Sequence, residues 1–368
     1  MKRLLLGSAA FASLLAIPFN RSQWSSTKAK TMSYVNSLIA MPALAIALAF
    51  APGSSYAGPR DTPARSCAAL VLPSTAVIQS KVLKKGDDGK VTQGTAVGSG
   101  FVIDSRGFII TNQHVIDGGQ EFRLRLYGDK PDSWRAATVV WADENVDLAV
   151  LRVQADKPLP ELELGPSSDL AVGEPAIVIG SPFGDEFSLS AGVVSKIQVP
   201  KPEDTSGIYL IQTDAAVNHG NSGGAMLNAN CEAVGVVELK LGEAGIGFAI
   251  TADRAARVAA GNMNAEWAGV THGIRDVSLK IVASEGADRQ HIIVRELAVG
   301  SPAAAVLQLG DYIVSIGGRA VRNRFDLERA FWDNKAGDAV KVHIERNGEP
   351  MDVVLTLAAA PADSAVKD

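Results

Sequence analysis

Short apolar runs rich in Val and Ile, separated by Gly, Pro, Asn and Asp, recur along this chain from residue 76 onward. Residues 122–126 alternate apolar with charged side chains, the period-two signature of a half-buried strand. Runs of the same kind predict further strands at 76–82, 97–104, 107–111, 137–141, 148–153, 176–179, 192–197, 209–213, 225–227, 233–239 and 247–250. The charged stretch 84–90, with Gly86 and Gly89, reads as a hairpin loop. About twelve short strands with Gly and Pro turns, over roughly 190 residues, predict a closed β architecture. Residues 251–262 read as a short closing helix. A smaller unit begins near Gly269, with strands at 274–277, 291–296, 312–316, 339–345 and 352–357. Its helices are predicted at 302–307, where Ser301 caps and Pro302 opens the first turn, and at 324–332.

The start of the chain has a different pattern. Met1-Lys2-Arg3 precedes the apolar run 4–19, and Lys28 and Lys30 precede the apolar run 38–50. Each run is shorter than the about 20 residues of a comfortable membrane span. Ser55-Tyr56-Ala57 follows Pro52-Gly53, a small-x-small pattern that predicts an export signal cleaved after Ala57. A retained N-terminal membrane anchor is the alternative. Both readings place the remainder outside the cytoplasm, and the periplasm is the expected compartment. The expected organisation is 1–57 signal or anchor, 58–66 Pro-rich linker, 67–262 first domain, 269–358 second domain and 359–368 tail.

Composition narrows the function classes. Of 368 residues, 47% are hydrophobic and 20% charged, which fits globular domains rather than a disordered chain. The net charge is −5 and the folded region has no basic block, which argues against nucleic acid as partner. The five His are scattered and there are two Cys, so no metal set and no cofactor are expected. Those cysteines, Cys67 and Cys231, invite a disulfide in an exported protein. The competing reading is two separate thiols, with Cys231 turned into the barrel, and the balance falls slightly on the thiols.

The candidate chemistry centres on Asn218-His219-Gly220-Asn221-Ser222-Gly223-Gly224. Glycines let a turn point successive N–H groups into one concavity, where an anion is held. Read by itself, the run is also an ordinary Gly-Asn-Ser loop between strands. His114 follows one predicted strand and Asp147 precedes another. A serine hydroxyl needs a base to take its proton, and a neutral imidazole can do that. A carboxylate fixes the imidazole tautomer. The chain order His, Asp, Ser is that of chymotrypsin-type enzymes. The expected catalytic groups are His114, Asp147 and Ser222, with Gly220, Asn221 and Ser222 at the oxyanion hole. His219 is too close to Ser222 along a tight turn to serve as the base.

These stretches resemble the HtrA (Deg) family of trypsin-like serine proteases. The similarity rests on Gly98-Ser99-Gly100-Phe101, Thr111-Asn112-Gln113-His114, Asp147-Leu148-Ala149-Val150, Gly180-Ser181-Pro182-Phe183-Gly184, residues 191–195 and 212–218, Gly220-Asn221-Ser222-Gly223-Gly224 and Gly245-Ile246-Gly247-Phe248. The resemblance implies a mainly β fold: two six-stranded β-barrels with the site in the cleft between them, followed by a small α+β PDZ-like domain. It implies that Val237, Glu238, Leu239 and Lys240 form the edge that pairs with substrate backbone. Ile246 and Phe248 would line a small apolar pocket for the residue at the cleavage site. In the second unit Gly300-Ser301-Pro302 and Leu309-Gly310-Asp311 resemble a bacterial PDZ domain. His272, Gly273 and Ile274 would then hold the C-terminal carboxylate of a peptide. His219 and Ala225 depart from the usual family residues. A homo-oligomer, a trimer by resemblance, is implied, while the short 84–90 loop puts larger cages in doubt.

The expected function is that of an extracytoplasmic serine endoprotease acting on unfolded or mis-assembled proteins. The alternatives are a regulatory protease gated by PDZ peptide binding and a non-catalytic chaperone or scaffold. A PDZ-like domain used only as an internal brake is a further reading of the second unit.

Overall fold

A computed structural model describes residues 62–85, 91–182, 187–198, 210–238, 245–284 and 287–361. The predicted export segment 1–57, most of the 84–90 loop, Phe183, Gly184, Leu239, Lys240 and residues 362–368 of the tail lie outside the described residues. No helix among the described residues is long and apolar enough to cross a membrane.

The described chain opens with α1 (Pro63–Val71), where a linker was expected to reach residue 66. The Thr62 hydroxyl accepts the Arg65 N–H at 3.3 Å and Pro63 sits at the first helical turn, a strong N-terminal signal that overrides the Pro-rich reading. The helix buries Cys67 and Val71.

The first barrel follows: β1 (Thr75–Lys85), β2 (Val91–Asp104), β3 (Phe108–Thr111), the short α2 (Gln113–Ile116), β4 (Gly119–Leu126), β5 (Arg135–Asp143) and β6 (Leu148–Val153). Its strands close in the order β1-β2-β3-β6-β5-β4. The second barrel is β7 (Pro175–Gly180), β8 (Ser188–Gln198), β9 (Leu210–Thr213), β10 (Ala225–Leu227), β11 (Ala233–Glu238) and β12 (Gly247–Thr251), closed in the order β10-β11-β12-β9-β8-β7. α3 (Ala252–Asn262) then leaves the barrel, as predicted for residues 251–262.

Why several strands read as unbroken apolar runs is now clear. In β6, Ala149, Leu151 and Val153 point into the first barrel, while Leu148 and Val150 join a seam with the second. In β11, Val234 and Val237 fill the second barrel, while Ala233 and Val236 face that seam. A strand buried on both faces has no polar side to show. The seam, with Phe101 and Ile110 opposite Ile179 and Ala225, holds the two barrels together.

The second unit comprises β13 (Val270–Thr271), β14 (Ile274–Ser284), β15 (Ala287–Leu297), β16 (Tyr312–Ile316), β17 (Arg319–Ala320), α4 (Arg324–Arg329), β18 (Ala339–Arg346), β19 (Glu349–Thr356) and β20 (Ala358–Ala359). Its main sheet runs β14-β15-β16-β18-β19, with β14 at one edge. The helix expected at 302–307 is only a 3-10 turn at Ala303–Ala305.

α4 is seated on the first unit. The Trp332 indole N–H donates to the Met263 carbonyl at 3.1 Å, and Asn323 Nδ2 donates to the Leu164 carbonyl at 3.1 Å. Arg329 donates to the Ile103 carbonyl at 2.8 Å, and its guanidinium lies 3.7 Å from the fully buried Asp104. Asp104 is also gripped by Arg106 at 2.7 Å and reached by Arg319 at 3.4 Å. Burial alone would push the Asp104 carboxyl up. The hydrogen bonds and charge of Arg106, with the charge of Arg329, outweigh that and hold it below the usual carboxylate range. Around these polar contacts Phe108, Trp267, Trp332 and Phe325 pack ring against ring at 5.1–5.8 Å.

Cys67 and Cys231 form a disulfide, with their Cα atoms 4.9 Å apart. This corrects the balance towards separate thiols. α1 lies against β7 and β8 of the second barrel, where the β10–β11 turn reaches it.

Candidate active site

His114 and Asp147 are brought together by β3 and β6, which pair antiparallel with Thr111 opposite Ala149. His114 is the second residue of the short α2 just beyond β3, and Asp147 stands just ahead of β6. Asp147 takes a left-handed backbone conformation, φ 51°, one that Asp tolerates better than most residues. In that pose its Oδ2 accepts from His114 Nδ1 at 2.8 Å. Its Oδ1 accepts the His114 backbone N–H at 2.9 Å and lies 3.0 Å from Nδ1. Asn112, fully buried, donates from Nδ2 to the Asp147 carbonyl at 2.9 Å. The carboxylate thus grips both backbone and ring of one residue, leaving Nε2 as the ring nitrogen turned to other partners.

The bond from Asp147 raises the His114 pKa above the ordinary histidine value. Burial opposes it, and the charges of Asp147, Glu238 and Asp117 add to the rise. Glu238 is itself buried, at the end of β11.

Ser222 belongs to the loop entering β10. The loop is bound across the seam to β2. Ser99 N–H donates to the Ser222 carbonyl at 2.8 Å, and Ser99 Oγ donates to the Gly220 carbonyl at 2.5 Å. The same Ser99 Oγ accepts the Ser181 N–H at 2.7 Å. On its other flank Gly223 N–H donates to the Val237 carbonyl, and Val237 N–H to the Gly224 carbonyl, each at 2.8 Å. Gly223, φ 83°, lies so close to the segment before His114 that a Cβ there would stand 2.2 Å from the Ser99 carbonyl oxygen and 3.1 Å from Asn112 N. Only glycine fits. Ser222 and His114 are therefore neighbours through Gly223 and Asn112, although no hydrogen bond joins the Ser222 hydroxyl to the His114 ring among the described residues.

The three N–H groups expected at the oxyanion hole divide. Asn221 N–H donates to the Asn218 carbonyl at 3.0 Å. Gly220, φ 97°, and Ser222 have N–H groups with no acceptor among the described residues. Two unclaimed donors beside a serine can receive a developing oxyanion.

The expected substrate edge lies beside this loop. Val237 is fully buried, and Leu239 and Lys240 fall outside the described residues. Phe248 pairs with Glu238 across β11 and β12, while Ile246 is 39% exposed. In the second unit His272 is buried, Gly273 has φ 83°, and Ile274 begins the edge strand β14. Among the described residues no group of three or more His, Cys, Asp or Glu could hold a metal ion. Ser99 was visible in the sequence only as part of a Gly-Ser-Gly stretch. Its carbonyl partner lies 121 residues away, and no local pattern announces that bond.

Residues 98–236 match the trypsin-like peptidase domain family, and residues 270–357 match the PDZ domain family. A protein of Pseudomonas putida (strain W619), named a probable periplasmic serine endoprotease DegP-like, is 36% identical over 292 residues. One of the same name from Hahella chejuensis (strain KCTC 2396) is 37% identical over 279 residues. This chain belongs to the trypsin-like peptidases that carry a PDZ domain. The matches cover 76% and 73% of the chain but 59% and 58% of the two relatives, so the chain spans somewhat more than half their length. A solved structure titled HtrA-type protease AlgWS227A with decapeptide aligns at TM-score 0.49 and 22% identity, over 82% of this chain and 98% of that one. The peptidase match spans His114, Asp147 and Ser222, and the PDZ match opens with β13.

Proposed function

We propose that this chain is an extracytoplasmic serine endopeptidase in which Ser222 is the nucleophile, His114 the base and Asp147 the group that orients the base. The observation carrying the reading is the Asp147 clamp on His114 beside the Ser222 loop. Oδ2 accepts a hydrogen bond from Nδ1–H, so the neutral imidazole presents an unprotonated Nε2. That nitrogen accepts the Ser222 proton as the hydroxyl attacks a peptide carbonyl. Gly220 and Ser222 N–H then hold the oxyanion. The imidazolium returns its proton to the leaving amine, and water repeats the sequence to release the acyl group.

Unfolded or mis-assembled polypeptides are the substrate class that fits. An extended chain would pair with the edge from Glu238 onward, since Gly223 and Gly224 occupy the backbone groups of Val237, and place a small apolar side chain between Ile246 and Phe248. The disulfide and the relatives' names support a periplasmic setting. A regulatory protease is the second reading, favoured by the buried contacts that seat α4 on the peptidase unit. Incubation with β-casein tests the main proposal. The wild-type chain degrades it, and Ser222→Ala, His114→Ala and Asp147→Ala each reduce the rate by about three orders of magnitude or more while remaining folded. Near-wild-type turnover by Ser222→Ala would end the serine-protease reading.

A further inference from the structure

The peptide groove of the second unit begins at a closed polar latch. β14 is an edge strand, and an edge offers backbone groups to an added strand. Here the first of those groups are already in use. His272 Nδ1 accepts the Ile274 N–H at 2.9 Å. Arg324, on α4, donates to the Arg275 carbonyl at 3.0 Å and lies 3.4 Å from that of Ile274. Glu328, one turn further along α4, ties the two together. Its Oε2 lies 3.1 Å from His272 Nε2, and its Oε1 lies 2.6 Å from the Arg324 guanidinium. Oε2 also accepts the Ala265 N–H at 2.9 Å. The His272 ring stacks on Phe331, centroids 4.8 Å apart. Both His272 and Glu328 are over nine-tenths buried, at 4% and 2% exposure.

These contacts assign the tautomer. A ring nitrogen accepting a backbone N–H carries no proton, so the ring proton is on Nε2, donated to Glu328. The charged groups around the ring are Glu328 and Arg324 from α4, Glu266 ahead of β13, and Arg275 from β14. All four line a small cavity at Gly273. Two carboxylates and two guanidiniums balance while the ring is neutral. A proton on Nδ1 removes the acceptor that holds Ile274 N–H. It also leaves one positive charge in excess beside that freed donor. Both changes favour an arriving carboxylate.

We propose that His272 is the specificity-determining residue of this groove: neutral, it closes the site, and protonated, it admits a peptide bearing a free C-terminal carboxylate. This rests on the reading of the second unit as a peptide-binding domain. The ligand class is a peptide with an ionised C-terminus.

The test uses the full chain carrying Ser222→Ala, which prevents cleavage. The probes are a fluorescein-labelled Gly/Ser-rich peptide ending in phenylalanine and its C-terminal amide. Anisotropy is read at about pH 5.5 and about pH 7.5. The free acid is expected to bind at least about tenfold tighter at the lower pH, and the amide to show no such gain. His272→Gln keeps an acceptor and a donor but cannot take the proton, so it stays weak at both pH values. His272→Leu removes the latch and binds equally at both. Equal wild-type affinity at the two pH values, or full pH dependence in His272→Gln, overturns the latch and leaves the peptide-binding reading standing. No binding by wild type or by folded His272→Leu at either pH overturns both. Should His272→Leu fail to fold, the ring ¹⁵N shifts of His272 in the parent chain decide: a protonated Nδ1 at about pH 7.5 overturns the proposal.

Discussion

Ser99 and Glu238 show how far individual residues shape the candidate site without joining its reaction. Ser99 binds two carbonyls of the Ser222 loop and one N–H of the 181 segment. Ser99→Ala is expected to lower kcat by about tenfold to a hundredfold with little change in KM, since a loop misplaced by a fraction of an ångström loses geometry rather than substrate affinity. Steady-state kinetics on one peptide substrate would read that split. Glu238 acts through charge. Only neutral His114 accepts a proton, so activity rises with pH through a midpoint that the Asp147 bond has moved above the ordinary histidine value. Glu238→Gln removes one of the charges that raise it, and the pH–rate profile should shift towards acid. A shift towards alkali, or none, would refute the coupling. His114, Asp147 and Ser222 were legible because their spacing and order carry a pattern. Ser99 and Glu238 were not, because their roles come from contacts across the seam between the barrels.

At the scale of elements, legibility followed burial. Strands such as β6 and β11 announced themselves as apolar runs, because both faces are covered. Their ends did not: β1 and β2 run on to Lys85 and back from Val91, where polar side chains break the apolar pattern. The 302–307 segment has the cap and the Pro of a helix, yet tertiary context leaves it a single 3-10 turn. α1 was missed although Thr62 and Pro63 mark its first turn, since what holds it down is the disulfide to the β10–β11 turn. Cα proximity across a separation of 164 residues is a product of the whole fold. Paired Cys67→Ser and Cys231→Ser changes should lower the thermal midpoint, the lost stability being at most the about 5 kcal/mol that chain entropy assigns to closing a loop of 164 residues. Casein hydrolysis at moderate temperature should survive, because neither cysteine touches His114, Asp147 or Ser222. An unchanged melting curve would show that α1 is held by packing alone.

For the molecule as a whole, the contact between the two units centres on Asp104, with Arg106, Arg319 and Arg329 gathered on one buried carboxylate. Asp104→Asn takes the buried carboxylate out of this cluster and leaves Arg106 on Asp333, Arg329 on Asp326 and Glu161, and Arg319 on Glu161, so its cost falls below the about 3–5 kcal/mol of a buried pair that loses its sole partner. The expected result is a lower melting temperature and a second unit released from its seat, seen as a larger radius in solution scattering. pH gives the same test from another side. The folded carboxyl titrates below its unfolded value, so its contribution is complete above the unfolded value and fades as pH falls through the folded one. Wild-type stability should therefore drop in strong acid by more than that of Asp104→Asn. Equal acid sensitivity would remove Asp104 as the keystone.

The bond between Cys67 and Cys231 also turns most of the peptidase unit into a covalent ring. A chain with the proposed endopeptidase activity would be exposed to its own kind, and a nick anywhere inside that ring opens a loop without releasing a piece. Such a cut chain would still migrate as one species on a non-reducing gel and fall into two only when the sulfurs are reduced. A preparation judged intact by size under oxidising conditions can therefore already carry internal cuts, and its measured activity would be that of a mixture.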